Sequence, residues 1–297
     1  MNKIPVVFTF DKRIILAAAV AIKSLIDSAK PDTSYDIWVF HPDIDEKTIK
    51  NFNQLTEGTN HNINFKYVDP KRFEGAPKNN GSWTEIVYYR LLTPELLPQY
   101  DKAIYVDIDV LFKGDLTEAY NLDISDYECA AVPVELNNKD TMICHKYFPE
   151  NTNKYIYISS FLIMNLKKMR EMHTVERFEK VIKEVNDRLK FFDLDTLNIA
   201  IDKFYDLPFS YGVFQSIYYN DDITKASEYS FLKGVFSDEE LEQSKKDVVF
   251  VHYAGKMGKP WRMKHPYQDY KECMNTIPKN LKKYTFRDIR KMLFNKF

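Results

Sequence analysis

Apolar and polar positions along the first part of the chain fall into two alternating periods. "IPVVFTF" (4–10) is an apolar run of strand length, and "IILAAAVAIKSLIDSA" (14–29) carries an apolar stripe at helical spacing. "YDIWVFH" (35–41) is strand-like, and "DIDEKTIKNFNQL" (43–55) predicts a helix with an acidic start, where carboxylates meet free N–H groups. "INFKYVD" (63–69) alternates as a strand, a helical stretch follows near 84–97, and "AIYVDIDV" (103–110) returns to a buried strand. Strands separated by helices predict βαβ units, an α/β fold and a mainly parallel sheet.

Further on, "CAAVPVE" (129–135) and "YIYISSFLIMNL" (155–166) predict strands. "KMREMHTVERFEKVIKEV" (168–185) and "LDTLNIAI" (194–201) predict helices, and "DVVFVHYAG" (247–255) a late strand. No linker-like stretch precedes Gly255, which predicts one catalytic domain over 1–255, with a donor-closing loop and a basic extension over 256–297.

In such sheets ligands bind beyond the carboxyl ends of the strands. Asp11, Asp69, Asp107 and Asp109 all fall at predicted ends of this kind. On a strand, Asp107 and Asp109 would share one face, where two ionised carboxylates repel. A divalent cation resolves that conflict; two solvated strand-end acids are the alternative, since an isolated D-x-D is a weak motif.

Composition narrows the picture. With 297 residues and 44% hydrophobic content the chain can bury a sizeable core. Cys129, Cys144 and Cys273 lack the spacing of a zinc site or a disulfide framework and suit a reducing compartment. The run Ile14 to Ile22 is too short to span a bilayer, and the first residues show no signal-peptide pattern, so a cytoplasmic location is expected. Net charge is −1, yet residues 256–297 hold twelve Lys/Arg against three Asp/Glu. A basic end of this kind suits anionic partners: phosphate-bearing substrates, a membrane surface or nucleic acid.

"VVFTFD", "YYRLLTPELLPQYDKAIYVDIDVLFKGDL", "MNLKKMR", "FFDLDTLN" and "VHYAGKMGKPW", in that order, resemble glycosyltransferase family 8, which includes bacterial lipopolysaccharide galactosyl- and glucosyltransferases and glycogenin. The resemblance runs over residues 4 to 261. It implies a GT-A, Rossmann-like fold and a retaining transfer of a hexose (galactose or glucose) from a UDP-sugar. The acceptor would be a glycan or a lipid-linked glycan, as in bacterial surface polysaccharide synthesis, and nucleic acid is not among the expected partners.

The same resemblance assigns roles. Asp107, Asp109 and His252 would bind the metal, Mn²⁺ with Mg²⁺ as the alternative; carboxylates plus imidazole suit Mn²⁺ better. Thr9 and Asp11 would hold the uracil and ribose of the donor, and Ile108 would be a further donor-binding position. Arg90 and Lys259 would neutralise the diphosphate, with Gly255 allowing close backbone approach. Asp193 would accept from donor-sugar hydroxyls, so Asp193, Arg90 and Lys259 form the expected catalytic set. Apart from the resemblance, Glu135 at the end of "CAAVPVE" is the expected acceptor contact, with an ordinary exposed strand-end acid as the alternative.

Departures are informative. Ile158, Ser159 and Ser160 replace a family Asn motif, Ile14 replaces a tyrosine, and Leu194 stands where a polar residue is common. Leu194 cannot act as a nucleophile. A sugar-nucleotide or glycan-binding relative with weakened turnover is therefore one alternative. A metal-dependent nucleotidyltransferase is the other, disfavoured because "FTFDKRII" has no glycine. At the end of the chain "TFRDIRKMLFNKF" (285–297) places Phe286, Ile289, Leu293 and Phe297 on one helical stripe among basic residues, a pattern suited to lying on an anionic membrane.

Overall fold

The structure, a computed structural model, describes residues 3–79 and 84–294. Among them a seven-stranded sheet forms the centre, in the order β3-β2-β1-β4-β7-β6-β8. Its strands are β1 (Ile4–Thr9), β2 (Tyr35–His41), β3 (Asn62–Tyr67), β4 (Ala103–Val106), β6 (Cys129–Leu136), β7 (Tyr155–Met164) and β8 (Phe204–Asp206). A small second sheet joins β5 (Val110–Phe112), β10 (Phe250–His252) and β9 (Val213–Phe214).

Strands β1 to β4 run parallel, as does β6 with β8, whereas β7 is antiparallel to both β4 and β6. The fold is thus α/β with a mixed, predominantly parallel sheet. Residues of β1 are buried on both faces: Val6 and Phe8 join one apolar cluster and Val7 the other. Two-sided burial is why β1 reads as a continuous apolar run rather than an alternation. The helix Ile15–Asp27 covers one face with Leu16, Ala19, Val20 and Ile22, all buried.

Four expectations change. The carboxylates of Asp107 and Asp109 are not carried on a strand, because β4 ends at Val106 and the chain bends through 107–109 before β5 begins in the other sheet. The predicted helix near 84–97 is a 3₁₀ segment (Glu85–Leu92) followed by a single turn, Thr93–Leu96, where Pro94 occupies a first-turn position that needs no N–H donor. The helix expected over 168–185 is two, Leu166–Glu171 and Thr174–Glu184, interrupted where His173 turns to φ 51°. The late strand shrinks to Phe250–His252.

The segment after Gly255 packs against the body. Tyr270, Ile277 and Leu281 are buried in the same apolar cluster as the helix Ile15–Asp27. The last helix, Phe286–Phe294, docks through Asp288, which accepts from Nε of Arg262 at 2.6 Å and caps the helix start through Thr285. Phe286, Ile289 and Leu293 are exposed. Phe297, the fourth member of the predicted stripe, lies outside the described residues.

Candidate active site

A cavity of about 680 Å³ opens beyond the carboxyl ends of β1 and β4. Thr9, Asp11, Arg90, Asp107, Ile108, Asp109, Asp193, His252, Gly255 and Lys259 all line it, although they come from separate parts of the chain. Asp69 does not; its side chain caps the turn Pro70–Phe73.

The two carboxylates converge by backbone anchoring. The N–H of Asp107 donates to the carbonyl of Ser160 on β7 at 2.9 Å, and the N–H of Tyr253 donates to the carbonyl of Asp109 at 2.8 Å. Antiparallel pairing of β10 with β5 sets His252 opposite Val110. Its Nε2 then lies 3.4 Å from Oδ1 of Asp109 and 4.0 Å from Oδ2 of Asp107. One donor atom from each of the three residues falls within 4.8 Å of the others. Two carboxylates and an imidazole at this spacing form a set that fits a divalent cation of mixed oxygen and nitrogen preference.

Basic groups offset the local negative charge. Lys259 forms an ion pair with Asp109 and donates to the carbonyl of Tyr253 at 2.7 Å. Burial alone would raise the Asp109 pKa, but Lys259 and His252 outweigh it and hold the group well below the usual carboxylate range. Arg90 is 5% exposed and lies between two acids: Nη2 is 2.9 Å from Asp107 and Nη1 is 3.3 Å from Asp193. Nη1 also donates to the carbonyl of Ser159 at 2.7 Å, and Nε to that of Val87 at 3.0 Å. The side chain is therefore fixed before any ligand arrives. Burial opposes its charge, yet Asp107 and Asp193 keep the guanidinium protonated.

Asp193 behaves differently. Its pKa is pushed up to about 6, chiefly by burial and in part by the Asp107 charge, against the pull of Arg90. Its Oδ2 is buried and, at 3.3 Å from Arg90, makes an ion pair without a hydrogen bond. That oxygen is an enclosed, unused acceptor of a residue that lines the cavity.

Two positions depart from simple readings. Asp11 is buried and engaged by Arg13, whose backbone N–H (2.8 Å) and Nε (2.7 Å) donate to its two oxygens. Glu135 does not line the cavity: it is 2% exposed, and its carboxylate accepts the N–H groups of Ile143, Cys144 and His145 and pairs with the His145 ring.

Several lining or supporting residues escaped the sequence reading. Tyr105 links Thr9 (3.1 Å) to Asp107 (2.8 Å) through its hydroxyl and lies under the Arg90 guanidinium at 4.3 Å. Its place two residues before Asp107, on a buried strand, was the available signal. Gln215, fully buried, donates to the carbonyls of Ala254 and Gly258 and so clips both ends of the loop carrying Gly255. His145 and Glu228 also reach the cavity wall, and nothing local in sequence marks them.

Comparison with known proteins agrees with this geometry. The model of the family described as "Glycosyl transferase family 8" matches residues 5–265. A lipopolysaccharide 1,2-glucosyltransferase of Escherichia coli is 24% identical over 263 residues, 88% of this chain and 73% of that protein. Among solved structures, the galactosyltransferase LgtC in complex with donor and acceptor sugar analogs superposes with a TM-score of 0.72 at 23% identity, covering 93% of this chain and 98% of LgtC. The bifunctional WbbM glycosyltransferase gives 0.74 at 21% identity, with 98% of this chain matched but only 52% of WbbM. The mixed sheet shared with these structures is the GT-A fold. With its Asp107–Asp109–His252 cluster at the strand ends, this chain belongs to glycosyl transferase family 8 and is a metal-assisted glycosyltransferase that uses a UDP-sugar.

Proposed function

We propose that the protein moves a hexose, glucose or galactose, from a UDP-hexose to a glycan or glycolipid acceptor with retention at the anomeric carbon, within bacterial surface polysaccharide synthesis. The observation that carries this reading is the convergence of Asp107, Asp109 and His252 beside two fixed cations, Arg90 and Lys259, in one cavity. Anionic ligands for the metal and cationic groups around it match a diphosphate, whose charge grows as the sugar leaves.

Mn²⁺, held by Asp107, Asp109 and His252, would act as a Lewis acid on the diphosphate and template its orientation. Arg90, its fork already held by Asp107, Asp193 and the Val87 and Ser159 carbonyls, supplies a fixed positive charge beside the diphosphate. Lys259 adds a point charge from the loop on the other side. Asp193, when ionised, accepts hydrogen bonds from donor-sugar hydroxyls. Thr9, Asp11 and Ile108 border the part of the cavity that would take uridine. Leu194 lines the cavity and offers no nucleophile, so we favour front-face transfer. The acceptor oxygen bonds to the anomeric carbon on the side from which the β-phosphate oxygen departs, and that oxygen takes the acceptor proton.

The test is release of UDP from UDP-glucose and UDP-galactose with Mn²⁺, with the anomeric configuration of the product read by NMR coupling constants. An α-linked product from the α-donor is expected. Saturable UDP-hexose binding with no release would instead favour a binding protein.

We further propose that residues 1–255 form the catalytic domain, that residues 256–297 supply the donor-closing loop with Lys259 and a basic extension, and that the last helix associates with the inner face of an anionic membrane. Exposed Phe286, Ile289 and Leu293 beside exposed Arg287 and Arg290 support this reading. Among the described residues no helix is long and apolar enough to cross a membrane.

A further inference from the structure

Glu135 and His145 form a buried pair at one end of the cavity. The Glu135 carboxylate is held by three consecutive backbone N–H groups, those of Ile143, Cys144 and His145. The fourth contact is Nδ1 of His145, 2.7 Å from Oε2. Burial would raise the Glu135 pKa, but the His145 hydrogen bond and the backbone donors bring it down to about 2, so the group is an anion that only accepts. Nδ1 of His145 must therefore carry the proton and donate. In the neutral ring this leaves Nε2 with an open lone pair.

That lone pair has no hydrogen-bond partner among the described residues, and His145 lines the cavity whereas Glu135 does not. Two aromatic rings flank it. The ring centroid of Phe191 lies 5.2 Å from that of His145 and that of Phe231 lies 6.2 Å away, and Leu194 and Ile158 line the same cavity. One oriented acceptor beside aromatic rings matches the chemistry of a neutral sugar, with C–H faces to lie on rings and hydroxyl protons to donate.

We propose that His145, held in its tautomer by Glu135, receives a hydroxyl of the acceptor sugar through Nε2 and selects neutral glycosides as acceptors. The proposal rests on the transferase reading above. Glu135 is then a positioning residue, acting through His145.

The experiment compares wild type with His145→Asn and His145→Gln, using UDP-hexose, Mn²⁺ and a panel of methyl glucosides, methyl galactosides and octyl β-lactoside. The readout is the partition of the transferred sugar between glycoside and water, together with the KM for the glycoside. Asn keeps a donor near the Nδ1 position for Glu135 but places nothing at Nε2, whereas Gln extends an amide toward Nε2. Removing one hydrogen-bond partner in an enclosed site should lower the glycoside-to-water partition by about tenfold to a hundredfold in the Asn variant, mostly through KM. The Gln variant should recover most of it. Equal losses in both variants, or a recovery by Asn rather than Gln, would overturn the role of Nε2 and leave His145 as a loop-holding residue. Wild-type release of UDP to water, with no transfer to any glycoside of the panel, would overturn the acceptor class while sparing the donor reading. No UDP release from either donor would refute the glucose or galactose donor reading on which the proposal rests.

Discussion

A Cβ placed on Gly255 would stand 2.1 Å from Oε1 of Glu228. The glycine has φ +82°, so both its backbone and its lack of a side chain are required at this point of the loop. Glu228 cannot swing away freely, since Ser216 and Ser227 donate to its other oxygen. Gly255→Ala should raise the KM for UDP-hexose by about tenfold. Adding Glu228→Ala should recover only part of this, because the backbone strain remains. Full recovery in the double variant, measured by steady-state UDP release, would show that the clash alone matters.

Arg90 is tested by charge and by shape. Arg90→Ala leaves Asp107 and Asp193 close together without their shared cation, and should destabilise the fold by about 3 kcal/mol, read from urea unfolding. Arg90→Lys restores charge but not the fork that reaches Asp107, Asp193 and the Ser159 carbonyl together. It should regain much of the stability while donor kcat/KM stays about a hundredfold down.

Asp109→Ala should abolish turnover and Mn²⁺-dependent UDP binding, and should lower the unfolding midpoint, because it leaves Lys259 and His252 without their carboxylate partner. Electron paramagnetic resonance of free Mn²⁺ would measure the binding directly. Unchanged Mn²⁺ affinity would rule out this carboxylate as a ligand.

The raised pKa of Asp193 makes activity and stability move in opposite directions with pH. Its folded value, about 6, lies above the usual carboxylate value of 3.8. The folded state therefore favours the proton: this stabilising contribution is fully present below pH 3.8 and is lost as pH rises through about 6. Donor recognition needs the ionised form, so donor kcat/KM should fall as pH drops through the same window. Asp193→Asn should flatten the stability profile between those limits, as followed by thermal unfolding at a series of pH values.

The last helix offers a separable test. Truncation before Leu281 would open the core, since that residue is fully buried. Substituting Phe286, Ile289 and Leu293 by serine leaves the Arg262–Asp288 anchor in place. The triple variant should lose co-sedimentation with phosphatidylglycerol vesicles at low salt while remaining soluble. Retained vesicle binding would place the contact elsewhere.

Much of the architecture was legible in the order of residues, because strand and helix periods are local properties. The runs 4–10, 35–41 and 129–135 announce buried strands whose burial needs no knowledge of their neighbours, and the D-x-D with a distant His-Tyr-x-Gly announces the chemistry. What sequence could not determine depends on which segments meet. The reversal of β7 is a matter of pairing partners, and it brings the Ser159 and Ser160 carbonyls to Arg90 and Asp107. The bend at 107–109 replaces the shared strand face that the i, i+2 spacing suggested, since β5 departs into a second sheet to pair with β10 and thereby sets His252 beside both acids. Glu135 reads as an acceptor contact at a strand end until the loop 143–145 folds over it and exchanges it, at the cavity wall, for His145. Local pattern specifies elements because it follows from the backbone's own periods; the site arises from long-range packing, which no short window of sequence contains.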